Sequence, residues 1–283
     1  SAGGSAAFVA RHSNVKVAVV EEFRERLGGH CPNYACIPTK ALLNAAKVLK
    51  TAKMAGEFGI QADNVGFDFK KVAAYRDSIV DQLTGPRIER NLHNAGIDLL
   101  WGRAKFVTDH ELEIDSRKYS AENILIATGS KEFIPPIEGL LETGFLVSDQ
   151  AVRLQELPKS IIIIGAGPVG TEFAQIFSGF DVEVTLLQRD GQILQREDRE
   201  IAELVQKDLA SRGVRIVTGM EVLRVQKHGA DKVVSVKLGS EEQDFRAQEI
   251  MIAAGRRAAL SDLNLEAAGL KLNQAGKLDL NEY

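Results

Sequence analysis

Cysteine occurs only twice in the 283 residues, at Cys31 and Cys36 of CPNYACIPTK, and the same stretch ends on Lys40. Two thiols at this spacing can be a redox pair, a structural disulfide, two unrelated buried thiols or half of a metal site. A metal site needs more soft ligands than the chain offers, because there is no third cysteine and the five histidines are scattered. Leu42, Ala45, Ala46, Leu49 and Ala52 then recur at helical spacing, which predicts a helix from about Pro38 to Met54. Proline is tolerated in its first turn, where the missing N–H has no intrahelical partner to lose. Cys36 accordingly stands at a helix entrance, whose partial positive charge favours the thiolate, the reactive form of cysteine. Lys40, one turn on, lies on the same face and can support an anion or a polar cofactor edge.

A second set of residues carries phosphate-binding chemistry. SIIIIGAGPVGTEFAQIFSGFDVEVTLLQR reads as a buried strand, a turn with Gly165, Gly167 and Gly170, a helix, and a second strand ending at Gln188. The first glycine permits the tight turn, the second lets backbone approach a pyrophosphate, and the third lets helix and strand pack closely. The helix N-terminus then presents free N–H groups to the phosphate charge. An acidic side chain about 20 residues after the glycines ordinarily binds a ribose hydroxyl. Here Gln188 occupies that place, followed by Arg189, and a neutral side chain beside a cation favours NADP over NAD.

The N-terminus repeats part of this pattern. Gly3 to Glu21 spans 18 residues, as does Gly170 to Gln188, so SAGGSAAFVAR into VKVAVVEE reads as the same unit lacking its first strand and first two glycines. Glu21 fits the ribose-binding place. NILIATGS at 123–130 and EIMIAAGR at 249–256 each read as an apolar strand running into an Ala/Thr–Gly turn. These echoes indicate an internal duplication of dinucleotide-binding modules.

The elements that position these residues predict an α/β fold of two Rossmann-like modules with central parallel sheets and β-meander excursions. FDFKKVAAYRDSIVDQL predicts a helix ending before Gly85-Pro86, and FVTDHELEID enters a β-rich section. A connector leads into the second module near Ser160. REDREIAELVQKDLASRG predicts an amphipathic helix stopped by Gly213, and Val222 to Ala253 a hairpin-rich excursion. The expected domains are 1–150, 151–260, and 261–283 returning to the first.

Composition bounds the rest. With 45% hydrophobic and 26% charged residues the chain can bury a sizeable core and reads as a soluble globular protein. A formal charge of −4, without basic runs interleaved with aromatics, argues against nucleic acid. The apolar runs, such as Ile161 to Ile164, fall far short of the roughly 18 residues of a membrane span, and SAGGSAAFVARHS has no secretory pattern. Sparse cysteine points to a reducing, cytoplasmic setting, where a close pair is more often catalytic or metal-binding than structural.

LGGHCPNYACIPTK resembles the redox-active segment of the flavin-dependent pyridine nucleotide-disulfide oxidoreductases, the group of dihydrolipoamide dehydrogenase, glutathione reductase and mercuric reductase. The glycine pair, C-x-N-x-x-C and P-T-K stand in the family's order, as do VAVVEE, WGRAKF, ILIATGS, GAGPVGTEFA and IMIAAGR. The resemblance implies FAD across the first module, with Gly3, Glu21 on its ribose, Gly28 and Gly29 near its pyrophosphate, Ala104 near its adenine, and Ala127, Thr128 and Gly129 along a further edge. It implies NAD(P)H in the second, at Gly165, Gly167, Gly170, Gln188, Arg189, Val222 and Gly255, with Glu172 approaching Lys40 beside the flavin.

The implied activity passes two electrons between NAD(P)H, FAD and a Cys31–Cys36 disulfide to a small-molecule or protein dithiol or disulfide. Cys36 is the thiol held against the flavin and Cys31 the one that exchanges with substrate. A homodimer is expected of full-length members, and no metal.

His30 and Ala35 replace the usual threonine and glycine, and RRAA at 256–259 a pattern with Pro-Asn. His30 reads as a residue lining the FAD phosphates, and His12, His93, His110 and His228 lack a catalytic setting. The first strand, a later Gly-Asp flavin contact and the interface domain with its His-x-x-x-x-Glu base have no counterpart here, so a chain truncated at both ends is expected. Cysteines that would hand over mercuric ion are also missing. The rival reading is a nucleotide-binding module, or inactive fragment, whose thiols never cycle.

Overall fold

Four successive isoleucines, with side chains alternating above and below the strand, require apolar cover on both faces. The computed structural model describes residues 2–13 and 15–281, and all four are buried inside a parallel sheet. The expected outer bounds at Ser1 and Tyr283 lie outside the described residues.

In chain order the first elements are helix α1 (Ala2–His12), strand β1 (Ala18–Glu21), and helices α2 (Cys36–Lys53), α3 (Phe69–Leu83) and α4 (Pro86–Asn94). Strands β2 (Asp98–Trp101), β3 (Ala104–Phe106), β4 (Glu111–Ile114) and β5 (Arg117–Ser120) follow. Next come β6 (Ser160–Ile164), α5 (Pro168–Gly179), β7 (Glu183–Gln188), α6 (Arg199–Ser211) and β8 (Arg215–Thr218). After these come β9 (Met220–His228), β10 (Asp231–Leu238), β11 (Glu241–Ala247) and β12 (Glu249–Ile252), followed by a short strand over Arg256–Ala258. The chain divides into two compact units, one of residues 1–33, 80–131 and 256–283, the other of 34–79 and 132–255.

The second unit is built on the parallel sheet β12-β6-β7-β8, in which Glu249 faces Ile161, Ser160 faces Glu183 and Thr185 faces Arg215. Ile161 and Ile163 join a core with Phe173, Phe177, Leu186 and the α2 residues Leu42, Ala46 and Leu49, while Ile162 and Ile164 join another with Val234, Val236 and Phe245. Helices α2 and α5 approach closely because Gly179 has no side chain: a Cβ there would lie 2.8 Å from that of Ala46. The expected hairpins are the antiparallel meander β9-β10-β11, with a register shift between Val222 and Arg224. Helix α6 ends at Ser211, two residues before Gly213 (φ 83°). Helix α3 ends at Leu83, and Pro86 opens α4, where proline costs no hydrogen bond.

In the first unit, β1 and β2 pair in parallel from Ala18–Asp98 to Glu21–Trp101. Ala7 of α1 is buried with Leu27, Leu92 and Ile97, and β3-β4-β5 form an antiparallel sheet. Leu260, Leu263 and Leu265 pack with Phe106, with Ile124 and Ile126 against them.

One expectation is corrected here. Of residues 123–130, read as an apolar strand running into an Ala/Thr–Gly turn, the segment 123–129 forms no strand. Their alternation survives, with Ile124 and Ile126 half-buried and Leu125 67% exposed, but a strand also needs a neighbour for its N–H and C=O groups. The matching segment β12 has β6 beside it; residues 123–129 have no strand paired to them among the described residues. A smaller correction is that α2 begins at Cys36, two residues before the expected start.

Candidate functional site

Cys36 is the first residue of α2, after Ala35 at φ −129° and ψ −101°. The first turn is held by Thr39, whose N–H donates to Ala35 O at 3.0 Å and whose hydroxyl donates to the same oxygen at 2.8 Å. Pro38 sits in that turn and is buried, so the proline also packs. Cys31 lies in the short helical turn His30–Tyr34, and both cysteines are exposed. Asn33, the polar residue of C-x-N-x-x-C, is 5% exposed, and its Nδ2 donates to Gly29 O at 2.8 Å and Leu27 O at 3.2 Å. Its amide thereby ties the cysteine turn to the glycine pair, where Gly28 and Gly29 take φ values of 99° and 84° that a side chain would resist.

Lys40, one turn into α2, donates its Nζ to Oε1 of Glu172 in α5, 132 residues away. The thiol-bearing helix and the glycine-turn helix are thus joined by a charged contact within one unit, and the structure brings together this predicted pair. Its lysine end is 66% exposed and its glutamate end 22%, so a long-range ionic link screened by water is the electrostatic picture.

The glycine turn is crowded at two of its three glycines. Gly165 has φ 105°, and a Cβ there would lie 2.8 Å from the Ala253 carbonyl carbon. At Gly170 a Cβ would overlap the Gly165 carbonyl oxygen. Gly167, by contrast, faces open space, with no atom within 4 Å of a built Cβ, directly before the free N–H groups of α5. A site crowded at the first and third glycines and open at the second fits a dinucleotide pyrophosphate.

Gln188 ends β7 as expected but turns inward. It is 8% exposed, its Oε1 accepts from Ala166 N–H at 2.7 Å, and its Nε2 donates to Asp190 Oδ2 at 2.8 Å. Arg189 points out, 83% exposed. Asp190 is a residue the sequence reading missed; only its place two residues beyond the strand end hinted at it. Val222 packs against the meander core, and Gly255 follows β12 with φ 109°.

In the first unit Glu21 closes β1, and its Oε1 accepts from Glu22 N–H at 2.9 Å and Phe23 N–H at 3.3 Å. Its second carboxylate oxygen makes no hydrogen bond among the described residues and is available to a ribose hydroxyl. Gly3 lies in α1, where a Cβ would meet Ala127 Cβ at 3.1 Å; at Gly170 it would meet Ala253 Cβ at 3.4 Å. The two modules therefore share one helix-to-alanine approach, as expected of a duplication. Thr128 donates to Ala259 O at 2.8 Å, Gly129 takes φ 74°, and Ala104 opens β3. These residues fit one end of a second dinucleotide.

Comparison with known proteins agrees with this geometry. The family model described as pyridine nucleotide-disulphide oxidoreductase matches residues 1–283. The chain is 31% identical over 279 residues to a mercuric reductase of Staphylococcus aureus, covering 99% of this chain and 51% of that protein. It is 35% identical over 286 residues to a dihydrolipoyl dehydrogenase of Acholeplasma laidlawii, covering 99% and 82%. Among solved structures, the HOCl-induced flavoprotein disulfide reductase RclA from Escherichia coli superposes with a TM-score of 0.84 at 30% identity, covering 99% of this chain and 60% of that one. The chain spans about half the length of the mercuric reductase.

Proposed function

Because the chain belongs to the pyridine nucleotide-disulphide oxidoreductase family, we propose that it passes two electrons between NAD(P)H, FAD and the Cys31–Cys36 pair, and on to a dithiol or disulfide substrate. The observation that carries this reading is the Lys40–Glu172 contact, which couples the helix opening on Cys36 to the helix opening on the glycine turn. FAD, when bound, supplies the two-electron chemistry that thiols and a nicotinamide cannot perform together alone.

The chain's own residues have distinct tasks. Gly167 and the N-terminus of α5 receive a pyrophosphate, and Gly165 and Gly170 allow the close turn. Glu21 accepts ribose hydroxyls, Gly28 and Gly29 bring backbone to the FAD phosphates, and Ala104, Ala127, Thr128 and Gly129 line the same cofactor. Lys40 presents a cation to the polar edge of the flavin, oriented by Glu172. Cys36 is the thiol at the flavin, and Cys31 exchanges with substrate through a mixed disulfide.

The nicotinamide cofactor in this reading is NADPH. Position 188 carries an amide rather than a carboxylate, and its oxygen accepts from Ala166 N–H, while the exposed Arg189 can pair with a 2′-phosphate. The remaining parts of the reading are a cytoplasmic setting and a homodimer. Among the described residues no helix is long and apolar enough to cross a membrane.

The test is spectroscopic. The FAD-loaded protein titrated with NADPH should develop a long-wavelength thiolate-to-flavin band that is lost in Cys36→Ser. A protein that binds no flavin, or a spectrum indifferent to that substitution, would favour a nucleotide-binding module without thiol cycling.

A further inference from the structure

Arg76 in α3 is a buried cation that the chemistry above does not use. It is 1% exposed, and its Nη1 donates to Val152 O at 2.7 Å and to Leu154 O at 3.0 Å. Its Nε donates to Asp77 Oδ1 at 2.9 Å, and Asp77 Oδ2 accepts from Gln155 Nε2 at 3.3 Å. The carbonyls on either side of Arg153 are therefore fixed by one guanidinium, and the next residue but one by its carboxylate partner. What these bonds determine is the direction in which the exposed Arg153 leaves the turn. Its guanidinium carbon lies 4.1 Å from the centre of the Tyr34 ring, within the range of a cation–π contact. Tyr34 belongs to C-x-N-x-x-C and precedes Cys36 by two residues.

We propose that Arg153 is a positioning residue for the thiol pair: held by the turn that Arg76 anchors, it pins Tyr34 and so restrains the chain between Cys31 and Cys36. The proposal rests on the redox reading of that pair. Closing the disulfide against oxidised glutathione runs through a mixed disulfide. One protein thiolate attacks the glutathione disulfide and releases one glutathione thiolate; the second protein thiolate then displaces the other. Two protein thiols lose two electrons and two protons, and the glutathione disulfide gains them as two thiols. In this proposal the contact is kept in the disulfide form and only partly made in the reduced ensemble, so that it limits the separations open to the two sulfurs and favours the closed form. An exposed cation–π contact changes this equilibrium constant by about two- to five-fold, or roughly 10–20 mV at about 30 mV per tenfold.

The experiment equilibrates the FAD-bound full chain with glutathione redox buffers at pH 7, quenches with acid, and counts alkylated thiols by mass. Arg153→Gln and Tyr34→Leu should each lower the equilibrium constant about two- to five-fold, the double variant no further than either, and Arg153→Lys should recover most of the parental value. An Arg153→Gln protein with the parental constant overturns the proposal, as does an Arg153→Lys protein as impaired as Arg153→Gln. A parent protein that forms no Cys31–Cys36 disulfide in any buffer overturns the redox reading and this proposal with it.

Discussion

Substituting alanine at Gly170 and Gly167 separates the packing task of the glycine turn from its binding task. Gly170 is buried in α5, and a Cβ there overlaps the Gly165 carbonyl oxygen and lies 3.0 Å from its carbon. Both atoms are backbone of a turn itself constrained by Ala253, so neither can swing aside as a side chain would. Overpacking of this kind costs typically ~1–3 kcal/mol, and a backbone overlap belongs at or above the upper end. Alanine recovers ~1 kcal/mol of helix propensity over glycine. The net loss for Gly170→Ala is therefore about 2 kcal/mol or more, a fall in Tm of roughly 4–8 °C at the ~2–4 °C per kcal/mol expected for this size.

Gly167→Ala meets nothing within 4 Å, at φ −74° that any residue adopts, so its stability should stay within ~1 kcal/mol of the parent. In the proposed reading its methyl instead enters the space of a pyrophosphate, and binding of 2′,5′-ADP or NADPH should weaken by about tenfold or more, ~1.4 kcal/mol. Thermal melts and isothermal titration of both variants make the comparison. A Gly170→Ala protein melting with the parent would refute the close approach of α5 to the turn. A stable Gly167→Ala protein with parental affinity for both ligands would refute the assignment of this turn to the phosphates.

Arg76→Met should cost about 2–4 kcal/mol, because Val152 is fully buried and its carbonyl loses its arginine donor together with that of Leu154. Arg76→Lys should recover only part of this in urea unfolding, since one ammonium cannot reproduce the fixed fork of donors; full recovery would count against the two-carbonyl clamp. Lys70 is held above its usual pKa of 10.5 by its hydrogen bond to Glu156 and then by that carboxylate's charge. A raised lysine stabilises the fold below its unfolded pKa and stops doing so as pH rises through the folded one. The small stability difference between parent and Lys70→Met should therefore persist at neutral pH and vanish above 10.5; a difference that grows with pH would contradict the ion pair.

Much of the fold was legible in the residues because its signals are local. The stripe Leu42, Ala46, Leu49 recurs at the helical period, and all three are buried where α2 meets the second unit's core. Gly165 followed by Gly167 and Gly170 announced a strand, a turn and a helix N-terminus, because only glycine tolerates φ 105° at the first place and the backbone approach at the third. Ile124 and Ile126 show where such reading stops. Their alternation is that of a strand, yet strand formation belongs to a pair of segments, and the partner is not encoded within the segment.

The residue types and spacings around Cys31, Cys36 and the glycine turn by themselves determined the chemistry open to this chain, since helix starts, φ-positive turns and thiol spacing are properties of a few consecutive residues. Only the tertiary structure decided which side chains are spent on the fold and which remain for a ligand. Gln188 turned in to Ala166 while Arg189 stayed outside, Lys40 found Glu172 across 132 residues, and Arg76 closed on a turn 76 residues away. The physical reason is that a long polar side chain reaches whatever donor or acceptor the packing of distant elements leaves unsatisfied.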